Sequence, residues 1–450
     1  MKIINSGEFN AYWKNVSKQA DEDFETEKTV KEIICAVQKE GDAAVRRYAS
    51  KFDKASPQKL EVPFSEAQNA FKELRANEPE LAAALELSGR HIKRFSEKQK
   101  EQFTDFEYEM EEGLFTGQKI IPVQRAAVYI PAGRFPLFST VLMCMIPAFC
   151  AGAEEVFLAS PPLKNGIPDK KIMAAAALAA EISCAENKKP RIFSMGGAQA
   201  VAALALGTES VPRADIIAGP GNRFVAAAKR ILFGKTGIDF IAGPSDVLII
   251  SDVKLQHGKG ADNNEERAAD IIAADMLAQA EHDPDARARA LVADNNFAAL
   301  VSDAVNRLLK NLEAEETARA SLDAGGLIIV YRTKEEAAEI ANIIAPEHLQ
   351  LQAENDIESW IPLLKNYGSL FIGSLSAEVL GDYSAGINHT LPTETSSRFT
   401  GGLSVRNFLK TVTTLRCLPG TGFESARNAA EIIGKAEGLE AHAKAAQARR

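Results

Sequence analysis

From Arg125 onward, short apolar runs alternate with helical stretches. Residues 126–130, 155–159, 191–194 and 215–218 each read as a strand followed by a helix. The rhythm repeats with strands expected at 246–250, 290–292, 326–330 and 369–372. Such alternation predicts parallel, doubly wound sheets, because each crossover helix must cover a sheet face. Two similar Rossmann-like α/β halves are therefore expected, at 125–245 and 246–380, and a repeat at this scale suggests duplication. Residues 1–124 are polar and helix-favouring, with long surface helices expected at 80–87 and 91–112, packing on the core. The stretch 381–450 closes the chain as a small helical domain, with a helix or helical pair from 424 to 450.

The 450 residues are 46% hydrophobic and 25% charged, enough for sizeable cores and against wholesale disorder. The formal charge of −9 disfavours a nucleic-acid binder, which needs clustered Lys and Arg. Met1-Lys2-Ile3-Ile4 is followed by polar residues, so no secretory signal is visible. Residues 135–153 lack charge, but Pro136 and Pro147 interrupt them and Arg134 and Glu154 bound them. A buried helix fits better than a membrane span. Five cysteines without a CxxC pair predict no disulfide framework, a reducing cytoplasmic setting, and small core residues at each position.

The glycine-rich turns Gly196-Gly197 and Gly219-Pro-Gly-Asn222 lie between strand and helix, where backbone N–H groups can meet a phosphate or nucleotide. Neither matches G-x-G-x-x-G, and a tight turn with Asn222 as N-cap is the plainer reading of each. Of six histidines, His282 stands three residues after Gln279 at a helix end. That spacing makes a half-site for Zn²⁺, although a histidine there also suits the helix dipole. Pro346 ends a helix and is expected to hold Glu347 and His348 in an irregular loop. A carboxylate beside an imidazole offers two proton acceptors, and an exposed Glu–His pair is the alternative. Asp382 follows a strand, with Asn388-His389 nearby. Glu437 and His442 fall in the C-terminal helix, where a solvated face accounts for them equally well. His91 and His257 receive no role.

Taken in order, Val128-Tyr-Ile-Pro-Ala-Gly133, Ser139-Thr-Val-Leu-Met143, Gly196-Gly-Ala-Gln-Ala200, Gly207-Thr-Glu-Ser-Val-Pro212, Gly219-Pro-Gly-Asn222, Ala242-Gly-Pro-Ser245, Gln279-Ala-Glu-His282, Ala345-Pro-Glu-His348, Gly381-Asp-Tyr383, Asn388-His-Thr-Leu-Pro392 and Glu437-Gly-Leu-Glu-Ala-His442 resemble the histidinol dehydrogenase family over nearly the whole chain. The resemblance implies NAD-dependent oxidation of L-histidinol to L-histidine through the aldehyde. It implies one zinc per subunit on Gln279, His282, Asp382 and His442, and proton transfer by Glu347 and His348. NAD contacts would fall on Tyr129, Gln199 and Asn222. Substrate contacts would fall on Ser245, Gln279, His282, His348, Asp382, Glu437 and His442. It also implies a homodimer in which the C-terminal segment completes the partner's site.

Five features depart from the usual pattern: Ala132 where a second Gly is common, Arg134-Phe-Pro, Asp246 where Glu is usual, Asp283 where Gly is one common choice, and a charged insertion at 256–267. Arg134-Phe-Pro resembles, in part, relatives that oxidise sulfonated diols, which gives the alternative substrate. A silent paralogue would have lost Glu347, His348 or a zinc ligand, and none is lost. A zinc hydrolase lacks an H-E-x-x-H pair.

Overall fold

The computed structural model describes residues 1–17, 24–55, 57–132, 136–183, 190–255, 263–353 and 356–449. Residues 256–262 of the expected 256–267 insertion, Arg134, His257 and Cys184 lie outside these, and residues 263–267 open the helix Asn263–Ala280.

Two six-stranded sheets form the body. The first runs in the order Glu61–Val62, Arg191–Ser194, Glu155–Ser160, Arg125–Tyr129, Ile216–Ala218, Gly237–Ile238. The second runs Lys2–Asn5, Leu327–Val330, Arg287–Val292, Asp246–Ser251, His348–Gln352, Ser369–Ile372. The two orders coincide strand for strand. In each, the chain starts in the middle, winds outward on one side, then crosses to the other, and an N-terminal strand closes the far edge. All pairs are parallel except Glu61–Val62 with Arg191–Ser194. The expected doubly wound halves are therefore present.

Alternation along each strand feeds a separate core on each face. Ala126, Val128 and Leu158 point into one cluster, while Ala127, Tyr129 and Phe157 point into another. In the second sheet Val247 and Ile249 face one core, and Leu248 and Ile250 the other. The apolar helix Phe138–Ala151 is almost wholly buried in the first of these cores. No described helix is long and apolar enough to cross a membrane.

Several expectations are corrected. The 91–112 stretch is not one helix: the helix Pro79–Lys100 ends, and Phe106–Glu111 is a strand. Its Phe-Glu-Tyr-Glu-Met-Glu alternation has a period of two, which the density of charge concealed. It pairs with Leu114–Pro122, which pairs in turn with Leu409–Cys417 in a third, antiparallel sheet. The N-terminal stretch thus carries four strands beside its helices. Cys35 and Cys417 are exposed, not core residues. The C-terminal helical pair is present as Thr421–Ala436 and Glu440–Gln447.

Candidate active site

At the carboxyl edge of the first sheet, three expected nucleotide contacts sit on adjoining turns. Tyr129 ends its strand and is buried. Its hydroxyl accepts from the Gly197 N–H at 3.0 Å. Gln199 lies in the first turn of the helix Gly197–Leu206, buried, with its amide nitrogen unpartnered among the described residues. Gly219 packs so closely that a Cβ there would lie 2.1 Å from the Tyr129 carbonyl oxygen, and its φ is +108°. Asn222 caps the helix Arg223–Leu232 by accepting from the N–H groups of Phe224 and Val225. A buried ion pair fixes this turn. The Lys229 ammonium meets Asp239 at 2.6 Å and the Gly219 carbonyl at 2.5 Å, while the other Asp239 oxygen accepts from the Gly219 N–H.

The second sheet offers its opposite edge. Asp246 and His348 are the first residues of adjacent strands, and Glu347 immediately precedes one of them. The expected loop at 345–348 is therefore corrected. Pro346 does end the helix Lys334–Ile344, but His348 enters a central strand and is buried with Glu347. The run His348-Leu-Gln-Leu-Gln352 alternates apolar and polar residues, a strand signal that the motif overshadowed.

Glu347 is gripped across the strands. Its backbone N–H donates to Asp246 Oδ1 at 2.9 Å, and its Oε2 accepts from the Asp246 N–H at 3.1 Å. Arg289 neutralises the other Asp246 oxygen at 3.1 Å. Burial raises the Glu347 carboxyl to about 7, against the pull of His348. His348 Nε2 lies 3.3 Å from Asp382 Oδ1, and its Nδ1 lies 4.0 Å from Glu347. Burial works against the His348 imidazolium, but Glu347, the Asp382 hydrogen bond and Glu378 outweigh it and raise it to about 10.

Asp382 is carried by the short helix Glu378–Tyr383, following the edge strand Ser369–Ile372. Burial opposes its charge, yet the His348 hydrogen bond and the imidazoles of His348, His389 and His282 hold it below the usual carboxylate range. His389 Nδ1 donates to the Asp382 carbonyl (2.8 Å), and its Nε2 meets the Thr140 hydroxyl (3.0 Å). That bond ties the second sheet's site to the buried helix of the first half. Gln279 is buried in the last turn of the helix Asn263–Ala280, and His282 is exposed just beyond it. Ser245 precedes Asp246, its carbonyl accepting from the Arg287 N–H.

Glu437 and His442 stand apart. Both are exposed on the C-terminal helical pair, and among the described residues no hydrogen bond or ion pair joins them to this cluster. Two expected zinc donors of His or Asp type, His282 and Asp382, thus come together in one chain. Among the described residues no group of three His, Cys, Asp or Glu side chains is arranged around a metal. Imidazole nitrogen, carboxylate and amide oxygen are donors that zinc accepts, and the ionised, partly buried Asp382 fits a cation.

Turns suited to a nucleotide on one sheet and a buried carboxylate–imidazole pair on the other are the parts that an NAD-dependent dehydrogenase needs. The histidinol dehydrogenase family model matches residues 16–450. The histidinol dehydrogenase of Aquifex aeolicus is 43% identical over 429 residues, covering 95% of this chain and 93% of its own. That of Cupriavidus pinatubonensis is 39% identical, covering 96% and 92%. The crystal structure of the Elizabethkingia anophelis histidinol dehydrogenase superposes with a TM-score of 0.86 at 33% identity, covering 100% of this chain and 98% of its own. The chain belongs to the histidinol dehydrogenase family.

Proposed function

We propose that the chain oxidises L-histidinol to L-histidine, through the enzyme-held aldehyde, in two NAD-dependent steps. The observation that carries this reading is the Glu347–His348 pair beside Asp382, buried at the mouth of the second sheet. Gln279, His282, Asp382 and a partner's copy of the residue at 442 would hold zinc, which would supply a template for the amine and imidazole of the substrate. Tyr129, Gln199 and Asn222 would hold NAD, which would supply the hydride acceptor for each step. A cation on Asp382 would remove the hydrogen bond that helps to keep His348 protonated, and His348 Nε2 would then be free to take the hydroxyl proton. Glu347, poised near neutrality, takes a proton from water as it adds to the aldehyde, a group matched to operating pH. His348 then acts again on the hydrated aldehyde. Ser245 and the exposed Glu437 complete the grip on substrate, Glu437 from the partner.

Homodimerisation is supported by the apolar surface around the C-terminal pair. Ile432 is 67% exposed and Leu415 69%, with Ile433, Leu439 and Tyr108 also open to solvent. Large exposed apolar side chains of this kind are what an interaction face presents. A cytoplasmic setting accords with a biosynthetic reaction using NAD. The sulfonated-diol alternative finds no support among the relatives described above, which are all histidinol dehydrogenases.

The test is NADH formation by zinc-loaded protein against a panel of L-histidinol and small anionic diols. Oxidation of histidinol supports the reading. Oxidation of a sulfonated diol with histidinol untouched overturns it.

A further inference from the structure

Beneath the residues that take part in metal and proton chemistry lies a second row, one structural repeat away from each. Asp275 is one helical turn before Gln279, and Glu378 is one turn before Asp382. Gln350 and Gln352 follow His348 on the same face of its strand. All four are buried, although Asp, Glu and Gln rarely are. With the Gln350 amide turned so that its oxygen faces the Glu378 backbone N–H, that oxygen accepts at 3.0 Å and its nitrogen donates to Asp275 Oδ2 at 2.7 Å; in the opposite orientation the oxygen accepts from the Gln352 amide at 2.9 Å. Gln352 donates to the same Asp275 oxygen at 3.0 Å. Glu378 Oε2 is enclosed without a hydrogen-bond partner among the described residues, as is His348 Nδ1.

Three separate elements are joined by this chain: the helix ending at Gln279, the strand starting at His348, and the short helix bearing Asp382. Each is short or terminal at that point, and the helix Glu378–Tyr383 has only six residues to hold its own shape. Burying two carboxyl groups and two amides is costly unless the arrangement is needed. A purely structural core here would be apolar, like the cores on either side.

We propose that Asp275, Gln350, Gln352 and Glu378 form a positioning layer that fixes the spacing of the metal-binding and proton-transfer residues above them. Gln350 is its centre, because it alone bridges the two flanking helices. Glu378 adds a carboxylate behind the His348 ring. Outer groups of this kind orient ligands without touching the metal. The inference rests on the zinc and histidinol reading above.

The test uses full-length, zinc-loaded Gln350→Leu and Glu378→Gln. Zinc release to a chromogenic chelator is followed without substrate, and kcat and the KM for NAD are measured separately. The expected result is zinc release faster, and kcat lower, by about 10–100-fold in Gln350→Leu. The KM for NAD stays near wild type, because the NAD turns belong to the other sheet. Glu378→Gln, which keeps shape and the backbone contact, shifts both quantities in the same direction and decides alone should Gln350→Leu not fold. Wild-type zinc release and kcat in the folded variants, whatever their melting temperature, overturn the layer. A wild-type enzyme that holds zinc but leaves histidinol untouched overturns the substrate reading and not the layer.

Discussion

Glu347 and Asp246 exchange hydrogen bonds across neighbouring parallel strands, each backbone N–H donating to the other's carboxylate. The exchange locks the Glu347 carboxylate at the sheet edge, 4.0 Å from His348. The Asp246 side chain reaches because the two residues lie at the start of adjacent strands.

Glu347→Gln keeps the volume and an oxygen for the Asp246 N–H but removes the base. Turnover of histidinol is expected to fall about 10²–10⁴-fold, with zinc content unchanged by metal analysis. His348→Asn is expected to fall as far, again with zinc retained. Near-normal turnover in His348→Asn removes it as the base.

His442→Ala tests the cross-subunit donor. It is exposed on the C-terminal helical pair, so the expected outcome is loss of zinc together with an unchanged fold by circular dichroism. Full zinc stoichiometry in this variant means that the fourth donor is another residue.

The nucleotide turn is predicted to fail in two distinguishable ways. Gly219→Ala must place a Cβ against the Tyr129 carbonyl at positive φ, a strain of at least about 1–2 kcal/mol. The KM for NAD is expected to rise about tenfold or more, with a smaller change in kcat. Asp239→Asn leaves the buried Lys229 ammonium uncompensated. Denaturant unfolding is expected to register a loss of about 3–5 kcal/mol, far more than for any exposed pair.

How much of this was legible beforehand varies with the kind of signal. The strands 191–194 and 369–372 were placed to the residue, because buried parallel strands read as compact apolar runs bounded by turns. His348–Gln352 was missed because its polar positions face a buried polar layer, so the run does not look like a core strand. The Lys2–Asn5 strand pairs with residues more than three hundred positions away, and nothing local announces such a partner. The ordered motifs brought Gln279, His282, Glu347, His348 and Asp382 into view. Glu378 and Asp275 escaped because a carboxylate on a helix is ordinarily a solvated one, although their four-residue spacing from Asp382 and Gln279 was there to be read.

Asp53 gives a pH-dependent outcome. Burial raises its carboxyl from an ordinary 3.8 to about 6. A raised acid favours the folded state below the unfolded value, and that contribution is lost as pH rises through about 6. Asp53→Asn should therefore gain melting temperature over wild type at pH 8, with the gain shrinking towards pH 4. An equal difference at both pH values contradicts the buried-acid assignment.

The most direct measurement counts NADH formed per L-histidinol consumed by the zinc-loaded enzyme. The account predicts two NADH per histidinol, histidine as the product, and loss of the signal when a chelator removes the metal. One NADH per histidinol with free aldehyde released, or no NADH at all, contradicts it.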